Sequence, residues 1–388
     1  MKRFDAVIVG ARCAGAATAL LLARAGARVL LVDKGSYDTD TLSTHALMRG
    51  GVLQLHRWGV LPAIAATDAT PVRSTTFSYS DQDLTVAIEP RYGVEALYAP
   101  RRRLLDRVLV DAAVASGAAV EYGVRVEDLI RDDRGRVCGV VVAGGIQRIE
   151  AETVIGADGL HSLIAQRVRA ETVVAGRYKA ATLYTYWQGL QTDGYYWRFT
   201  TSGSMGAIPT NDHATCVFVA VSPERLKDEI SRNPLTAYRK WLREAAPAID
   251  AQLDSATRTE PVRGFGGHVG FIKTSTGPGW ALVGDAAYFK DPLTAHGITD
   301  ALRDAELLVR AIVKGTATAL HDYEVTRLDL SRRLFEVSDE VASLSWTDDR
   351  VQSLHRTLST EMSREVRALV ALEPLTCHLP SVSALPEA

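Results

Sequence analysis

The stretch that decides the fold is FDAVIVGARCAG at residues 4–15, which continues through Gly26 to Asp33. Residues 4–9 are apolar and rich in β-branched side chains, a pattern typical of a buried parallel strand. Residues 14–24 are dense in Ala and Leu, which favour a helix, and Gly26 follows where a helix C-cap belongs. A second apolar run ends on Asp33. The stretch therefore predicts a strand, a tight turn, a helix and a second strand.

The turn carries most of a dinucleotide fingerprint. Such a turn needs one glycine for its tightness, a close backbone approach to pyrophosphate, and a small residue where helix and strand pack. Gly10 and Gly15 supply the first and third glycines, and Asp33 stands where an acid accepts hydrogen bonds from a ribose. Arg12 occupies the middle glycine position, and a guanidinium there could itself meet phosphate. The pattern predicts nucleotide binding but does not separate NAD from FAD.

Two later segments favour FAD. Residues 156–159, Gly-Ala-Asp-Gly, are followed by Ser162 and resemble the Asp-Gly motif of the flavoprotein monooxygenase superfamily. Residues 284–287, Gly-Asp-Ala-Ala, precede Pro292 and Gly297 and resemble the Gly-Asp motif of that superfamily. The fingerprint and these two motifs occur in the same order as in that superfamily. The chain therefore resembles FAD-dependent oxidoreductases of the para-hydroxybenzoate hydroxylase-like group, which includes aromatic hydroxylases, geranylgeranyl reductases and flavin halogenases.

The resemblance implies an α/β fold. We expect a Rossmann-like three-layer FAD-binding domain of the glutathione-reductase type, an inserted antiparallel-sheet substrate domain, and a helical C-terminal tail. The strand pattern and the turn at Asp133-Arg134-Gly135 agree with this arrangement. The predicted boundaries are 1–75, 98–168 and 263–315 for the FAD domain, 76–97 and 169–262 for the substrate domain, and 316–388 for the mostly helical tail.

The resemblance also implies which residues hold FAD. Asp285 is expected to bind the ribityl chain. The N-terminus of the helix that starts at Gly297 is expected to face the flavin pyrimidine ring. Arg102 matches an arginine that contacts FAD, with Arg101 as the near alternative, and Asp158 has a structural alternative as a cap on its turn. The full cofactor-binding prediction comprises Gly10, Arg12, Cys13, Ala14, Gly15, Asp33, Lys34, Thr44, Arg102, Val126, Asp158, Gly159, Gly284, Asp285, Pro292, Gly297 and Ile298.

Candidate catalytic and substrate residues follow from the same resemblance. His45 and His296 are predicted near the flavin ring, where a histidine can move a proton near neutral pH; the alternative is that each anchors a loop or hydrogen-bonds the flavin. Tyr195, Trp197 and Phe199 are similar to a Tyr-x-Trp-x-Phe run that lines the cavity of geranylgeranyl reductases. Their alternative is an aromatic strand in a half-buried sheet.

Composition excludes several classes of protein. Hydrophobic residues make up 47% and charged residues 23%, as in ordinary globular proteins, and the net charge of -2 argues against nucleic acid as a partner. No apolar stretch reaches the roughly 18 residues that span a bilayer, so integral membrane association is not expected. The cysteines lack a CxxC spacing, which argues against a zinc site or disulfides and predicts a cytoplasmic protein without metal; they are Cys13, Cys138, Cys216 and Cys377.

The resemblance implies a FAD-dependent monooxygenase that hydroxylates or oxidises a small to medium organic molecule. It would use NADH or NADPH and O₂ through a flavin hydroperoxide. The alternative is a flavin-dependent alkene reductase of the geranylgeranyl reductase type. A halogenase, suggested by Lys290 but lacking a Trp-x-Trp-x-Ile-Pro segment, and a non-catalytic FAD-binding module rank below both. Ala165, Ala295 and Thr299 depart from the hydroxylase pattern, which leaves the substrate and the reaction type open. The sequence also leaves open the oligomeric state and whether a partner reductase reduces the flavin.

Overall fold

The computed structural model describes residues 3–375 except 81, 143, 146, 191, 201–202, 231–232 and 317. Its strands are β1 (Arg3–Val9), β2 (Val29–Asp33), β3 (Ser74–Ser78), β4 (Asp83–Ala87), β5 (Ala119–Tyr122), β6 (Val126–Arg131), β7 (Val137–Val142), β8 (Gln147–Gly156), β9 (Thr172–Ala175), β10 (Ala181–Gln188), β11 (Tyr195–Thr200), β12 (Gly203–Pro209), β13 (Ala214–Val221), β14 (Thr257–Arg258), β15 (Arg263–Phe265), β16 (Phe271–Lys273), β17 (Thr276–Gly277), β18 (Trp280–Leu282) and β19 (Tyr288–Phe289).

The helices connect and cover these strands. They are α1 (Cys13–Arg24), α2 (Arg49–Arg57), α3 (Leu61–Ala65), α4 (Arg102–Ala115), α5 (Leu163–Arg167), α6 (Pro223–Glu229), α7 (Pro234–Ala245), α8 (Pro247–Gln252), α9 (Gly297–Lys314), α10 (Ala319–Val341) and α11 (Asp348–Val370). Two short 3₁₀ turns, Gly284–Ala286 and Pro292–Thr294, precede α9.

The first sheet carries the nucleotide turn. Its order is β17-β18-β8-β1-β2-β5, in which β18, β8, β1, β2 and β5 are parallel to one another and β17 is antiparallel to β18. The β6–β7 hairpin extends the sheet from β8 through an antiparallel pairing. Val7 pairs with Leu30 on one side and Val154 on the other, and all three are buried. Helix α1 packs against α4 and α9, while the β6–β7 hairpin supplies the apolar cluster on the other face. The predicted three-layer α/β fold is confirmed.

The second sheet is built from two separate parts of the chain. Its order is β14-β10-β13-β12-β11-β3-β4, with β15 also pairing with β10. Helix α7 covers one face with Tyr238 and Trp241, both buried. The sheet is not wholly antiparallel, because β3 runs parallel to β11 with Thr75 opposite Tyr195. Strands β3 and β4 enter from before α4, so no hairpin forces an antiparallel pairing with β11.

The segment predicted as the inserted sheet also holds other elements. Helices α6, α7 and α8 lie within this segment. Strand β9 does not join the second sheet but forms a separate three-stranded sheet, in the order β19-β16-β9. The prediction from the sequence includes only the strands of this segment. Helix α7 nevertheless shows the 3.6-residue pattern, with Tyr238, Trp241, Leu242 and Ala245 buried on one side.

The tail is helical as predicted in its described part. Helix α10 packs on α9 and α11, and α11 also reaches α2, so the tail joins the largest apolar core through residues such as Leu334, Leu354 and Leu358. Cys377 lies outside the described residues, whereas Cys13, Cys138 and Cys216 are free thiols. Over the described ranges, no helix combines the length and apolarity that crossing a membrane requires.

Candidate active site

The turn between β1 and α1 leaves no room for side chains at its two glycines. Gly10 has φ +107°, and a Cβ there would stand 2.4 Å from the carbonyl oxygen of Ala157. A Cβ on Gly15 would stand 1.8 Å from the carbonyl oxygen of Gly10. Helix α1 begins at Cys13, so its first backbone N–H groups face this tight turn. The result is a backbone cradle of the kind that binds phosphate at a helix N-terminus.

Asp33 holds the cradle from the end of β2. Its carboxylate accepts hydrogen bonds from the backbone N–H of Ala11 at 2.7 Å and of Gly35 at 2.6 Å. Each carboxylate oxygen keeps a further acceptor site, so the side chain can fix the turn and still accept from a ribose. The next residue, Lys34, is exposed. Asp33 therefore lies where the fingerprint predicts it, at the edge of the turn.

Arg12 forms hydrogen bonds with groups that were not predicted from the sequence. Its guanidinium donates to the carbonyl oxygen of Thr39 and to Asp106 Oδ2, the latter at 3.1 Å. Cys13 Sγ donates to Asp106 Oδ1 at 3.0 Å, and Arg102 Nη2 lies 3.2 Å from the same oxygen. Burial raises the pKa of the Cys13 thiol well above its ordinary value, so this thiol stays protonated. Asp106 is the missed residue of this corner, although its i,i+4 spacing from Arg102 on α4 was a usable signal.

Arg102 and Arg101 have different surroundings. Arg101 stacks 3.8 Å above the Tyr186 ring and pairs with Asp40 and Glu260, on the side of the second sheet. Arg102 instead lies with the Asp106 corner, beside the phosphate cradle. Of the two arginines considered from sequence, Arg102 is therefore the one that the structure brings to the turn.

Asp285 follows Gly284, which packs against the first turn of α1. Gly284 has φ +57°, and a Cβ on it would stand 2.9 Å from the Cβ of Ala14, so the Gly-Asp motif packs directly on α1. The Asp285 residue is exposed, yet protein surrounds its carboxyl closely enough that desolvation raises its pKa to about 6 against the attraction of Arg102 and Lys290. The fingerprint turn and the Gly-Asp motif thus lie next to each other at the start of α1.

The loop after Asp285 presents the start of α9. Ala295 adopts a left-handed backbone with φ +49°, where many hydroxylases have a glycine. A Cβ on Gly297 would meet nothing within 4 Å, so the first turn of α9 borders open space. Pro292 is exposed and Ile298 half-buried beside it. The positive end of the helix dipole favours a negative charge at this position.

His296 belongs to a buried cluster of charges. Its Nε2 lies 2.7 Å from Glu365 Oε2, and Arg303 donates at 2.7 Å to the other oxygen of Glu365. Burial lowers the pKa of His296 and that of Lys290, the latter to about 7. Among the described residues, the buried Nδ1 of His296 has no hydrogen-bond partner. The charged members of this buried ion cluster are Lys290, Asp300, Arg303, Asp304, Arg327 and Glu365.

The same cluster contains a group with the spacing of metal ligands. One ligand atom each from His296, Asp300 and Glu365 lies within 4.8 Å of the others. However, Lys290 contacts Asp300, and Arg303 donates to Asp300 at 2.9 Å and to Glu365. These cations already compensate the two carboxylates, so the arrangement is typical of an ion-pair network rather than of a metal site.

His45 is fully engaged in hydrogen bonds. Its Nδ1 lies 3.0 Å from the carbonyl oxygen of Ala99, which can only accept, so this nitrogen carries the proton. Its Nε2 then accepts from the hydroxyl of Tyr186 at 3.0 Å. Burial lowers the pKa of His45 to about 3, and its φ of +48° shows that the loop is held tightly. The geometry favours the alternative role considered from sequence, in which this histidine anchors a loop.

Asp158 likewise has a structural task. Its carboxylate accepts from Ser162 Oγ at 2.5 Å and from the backbone N–H of Leu163 at 2.6 Å, at the start of α5. Desolvation raises its pKa. Gly159 follows with φ +79°. Two other residues predicted to bind FAD are Thr44 and Val126. Thr44 is half-buried near His45, and Val126 is buried in the core below the first sheet.

A cavity of about 650 Å³ lies between the second sheet, the loop before α9, and helix α11. The predicted substrate residues Tyr195, Trp197 and Phe199 all line it, on the face of β11 opposite α7. Ala295 and His296 line it from the loop. The structure thus brings the aromatic strand and the second predicted histidine to one cavity, whose size is in the range of small-molecule sites.

A hydrogen-bonded pair in this cavity was not found from sequence. The Tyr79 hydroxyl lies 2.9 Å from His355 Nδ1, and the His355 ring is 4.2 Å from that of Phe199. Burial raises the pKa of Tyr79 to about 12 and lowers that of His355 to about 4, so both are neutral at pH 7. His355 shares the buried side of α11 with Val351, which was a signal that it faces inward.

The described residues fit FAD. The cradle at Gly10 and Gly15 excludes side chains, the space before Gly297 is open, and the adjacent His296 has a buried nitrogen without a hydrogen-bond partner among the described residues. A family described as "FAD binding domain" matches residues 3–338. The chain belongs to this family. It is therefore a flavin-dependent oxidoreductase that binds FAD.

Relatives agree with the membership. Digeranylgeranylglycerophospholipid reductase of Methanothrix thermoacetophila is 27% identical over 404 residues, covering 96% of this chain and 97% of its own. Menaquinone reductase of Mycolicibacterium smegmatis is 27% identical, covering 81% of this chain and 78% of its own. The myxobacterial chondrochloren halogenase CndH has a similar fold, with a TM-score of 0.78 at 20% identity, covering 95% of this chain and 96% of its own.

Proposed function

We propose that this flavoprotein reduces a carbon–carbon double bond in an apolar substrate bound in the cavity. The observation that carries the proposal is the Tyr79–His355 pair, which places a proton donor in a mainly apolar and aromatic cavity bordered by the loop before α9. Saturation of a double bond consumes one hydride and one proton. A cavity that holds an acid beside apolar walls suits that requirement.

Two sequence relatives support a reductive reaction. Both align with most of the chain, and both are named as reductases. The strand that carries Tyr195, Trp197 and Phe199 lines the cavity, as the similar run does in geranylgeranyl reductases. The reductant that we propose is NADH or NADPH, acting directly or through a partner reductase.

The chain's own residues have distinct parts in this reaction. FAD, when bound, supplies the hydride for reduction or, with O₂, the oxygen atom for an oxygenation. The cradle at Gly10 and Gly15 holds the phosphates, and the start of α9 stabilises negative charge at the flavin end. Trp197 and Phe199 exclude water from the substrate. The Tyr79 hydroxyl delivers the proton, and His355 orients it.

Oxygenation, which the sequence favoured, is the second candidate. The rings of Phe77, Trp197 and Phe199 line one cavity, a wall that fits a flat aromatic substrate as well as an alkene. Such a substrate would be hydroxylated with O₂. The two reactions differ in one requirement, because only oxygenation needs oxygen in the step that uses the substrate.

That requirement provides the test. The FAD-loaded protein is reduced with light under anaerobic conditions and mixed with an isoprenoid alkene panel or a phenol panel. Reoxidation of the flavin by an alkene without O₂, with the saturated product found by mass spectrometry, supports reduction. Substrate-dependent oxygen uptake with incorporation of label from ¹⁸O₂ supports oxygenation instead. A protein that stays colourless with added FAD overturns both.

Replacement of Tyr79 by Phe tests the proton donor. The change removes the hydroxyl that meets His355 Nδ1 and keeps the ring. We expect substrate-dependent reoxidation to slow by about 10²-fold, as for loss of one general acid, while FAD affinity is unchanged. Tyr37→Phe, which removes a hydroxyl bound to Asp111 away from the cavity, is the matched control. Equal rates in both variants would remove Tyr79 from the mechanism.

A further inference from the structure

The mouth of the cavity carries four arginines and a single acid among its lining residues. Arg49, Arg91, Arg356 and Arg367 all line it, and among the described residues none of them has a carboxylate oxygen within 4.0 Å. Glu89 is the one acid of the lining. By contrast, Arg101 pairs with Asp40 at 2.6 Å. The mouth therefore carries more positive than negative charge.

Arg49 and Arg91 lie near enough for the charge of Arg91 to act on Arg49. Arg49, at the start of α2, donates to the carbonyl oxygens of Glu89 at 2.7 Å and of Val94 at 3.5 Å, so backbone fixes its guanidinium. Burial and the nearby charge of Arg91 both lower the pKa of Arg49, and the charge of Glu89 only partly offsets them. Arg356 and Arg367 lie on α11 about 17 Å apart along the axis, so they spread the charge along the rim.

The rest of the mouth is apolar. Leu84 and Val86 on the edge strand β4 are 54% and 44% exposed, and Tyr92 in the following loop is 52% exposed. All three belong to the cavity lining, which continues inward to Phe77 and Trp197. An occupant of the cavity would thus lie against apolar side chains along its length and meet guanidinium groups only at the mouth.

We propose that the cavity takes an apolar molecule that carries one carboxylate or phosphate group, and that Arg49 and Arg91 bind this anion. Arginine offers several fixed donors that match the oxygens of either group. An anion between two repelling guanidinium groups relieves their repulsion as well as forming its own bonds. The inference deepens the proposed function by naming the substrate class and the end of the substrate that stays at the mouth.

Binding to the oxidised FAD-loaded protein tests this without turnover. Trp197 lies in the cavity, and quenching of tryptophan fluorescence reports occupancy. The probes are dodecanoate, dodecyl phosphate and uncharged dodecanamide, with 2-naphthoate and 2-naphthamide as a flat pair. We expect each anion to bind about 10-fold more tightly than its amide, with the preference reduced at high salt. Amides that bind as tightly as the anions, or absence of binding by every probe, would overturn the proposal.

Variants locate the anion. Arg91→Gln is expected to abolish the preference for the anion and to leave amide binding unchanged, because it removes charge from an exposed side chain and no apolar wall. Arg356→Gln should keep most of the preference, and Arg134→Gln, on the exposed β6–β7 turn, should keep all of it. Loss with Arg356→Gln but not with Arg91→Gln would refute the placement. An anion preference without turnover would instead count against the proposed reaction alone.

Discussion

Replacement of Gly297 by Ala separates cofactor binding from folding. Gly297 is the first residue of α9, its backbone is outside the left-handed region, and an added Cβ would meet nothing within 4 Å. Without FAD, the variant should therefore be as stable as the parent, or more stable by up to about 1 kcal/mol, because Ala favours a helix over Gly.

With FAD the result should reverse. The open space before Gly297 is where the flavin end is proposed to lie, so the methyl group would press on a bound ring. Overpacking of this kind costs about 1–3 kcal/mol, which corresponds to a Kd increase of about 5- to 150-fold. Urea unfolding of the apoprotein measures the first effect, and quenching of flavin fluorescence on titration measures the second.

Gly15→Ala is the matched comparison. Its Cβ would stand 1.8 Å from a backbone carbonyl oxygen whether or not FAD is present, so this variant should lose both stability and affinity. If Gly297→Ala binds FAD as tightly as the parent, the flavin does not approach the start of α9, and the proposed placement of the cofactor fails.

Three further perturbations test the site. Arg12→Gly should raise the Kd for FAD about 10-fold in a flavin titration, with the unfolding free energy within about 1 kcal/mol of the parent. An unchanged Kd would show that Arg12 serves only its protein partners Thr39 and Asp106. His45 has a pKa of about 3 in the folded protein and 6.5 in the unfolded chain, so the unfolded chain binds the proton first as the pH falls. The free energy of unfolding should therefore decrease below pH 6.5, by about 2 kcal/mol at pH 5. His45→Gln should reduce this pH dependence, as measured by urea unfolding. Arg303→Gln should cost about 3–5 kcal/mol because it leaves buried carboxylates uncompensated, whereas the exposed Arg332→Gln should change stability by less than about 0.5 kcal/mol; equal losses would contradict the buried network.

The first sheet was predictable because its signals are local. The Gly10–Gly15 turn, the strand that ends on Asp33 and the helix of Ala and Leu lie within one short stretch, and each constrains its neighbours. The order of the later Asp-Gly and Gly-Asp motifs added the cofactor. Hydrophobic period and turn chemistry suffice for such elements, since neither depends on a distant partner.

The missed features depend on contacts between distant parts of the chain. Asp106 matters because α4 lies beside the turn that carries Arg12, and His355 because α11 crosses over the second sheet to Tyr79. The parallel pairing of β3 with β11 has no turn signal at all. Spacing shows that a residue faces inward, but only the packed structure shows what it meets there.

The buried ion cluster limits how helix α11 can be exchanged to change the substrate. Glu365 on α11 pairs with Arg303 and contacts His296. Helix α11, which lines the cavity, and the loop before α9 therefore belong to one ion-pair network. A chimaera that exchanges α11 for that of a relative would import new cavity walls and remove a counter-ion from the cofactor side. Such an exchange has to carry an acid at the position of Glu365, or be accompanied by replacement of Arg303.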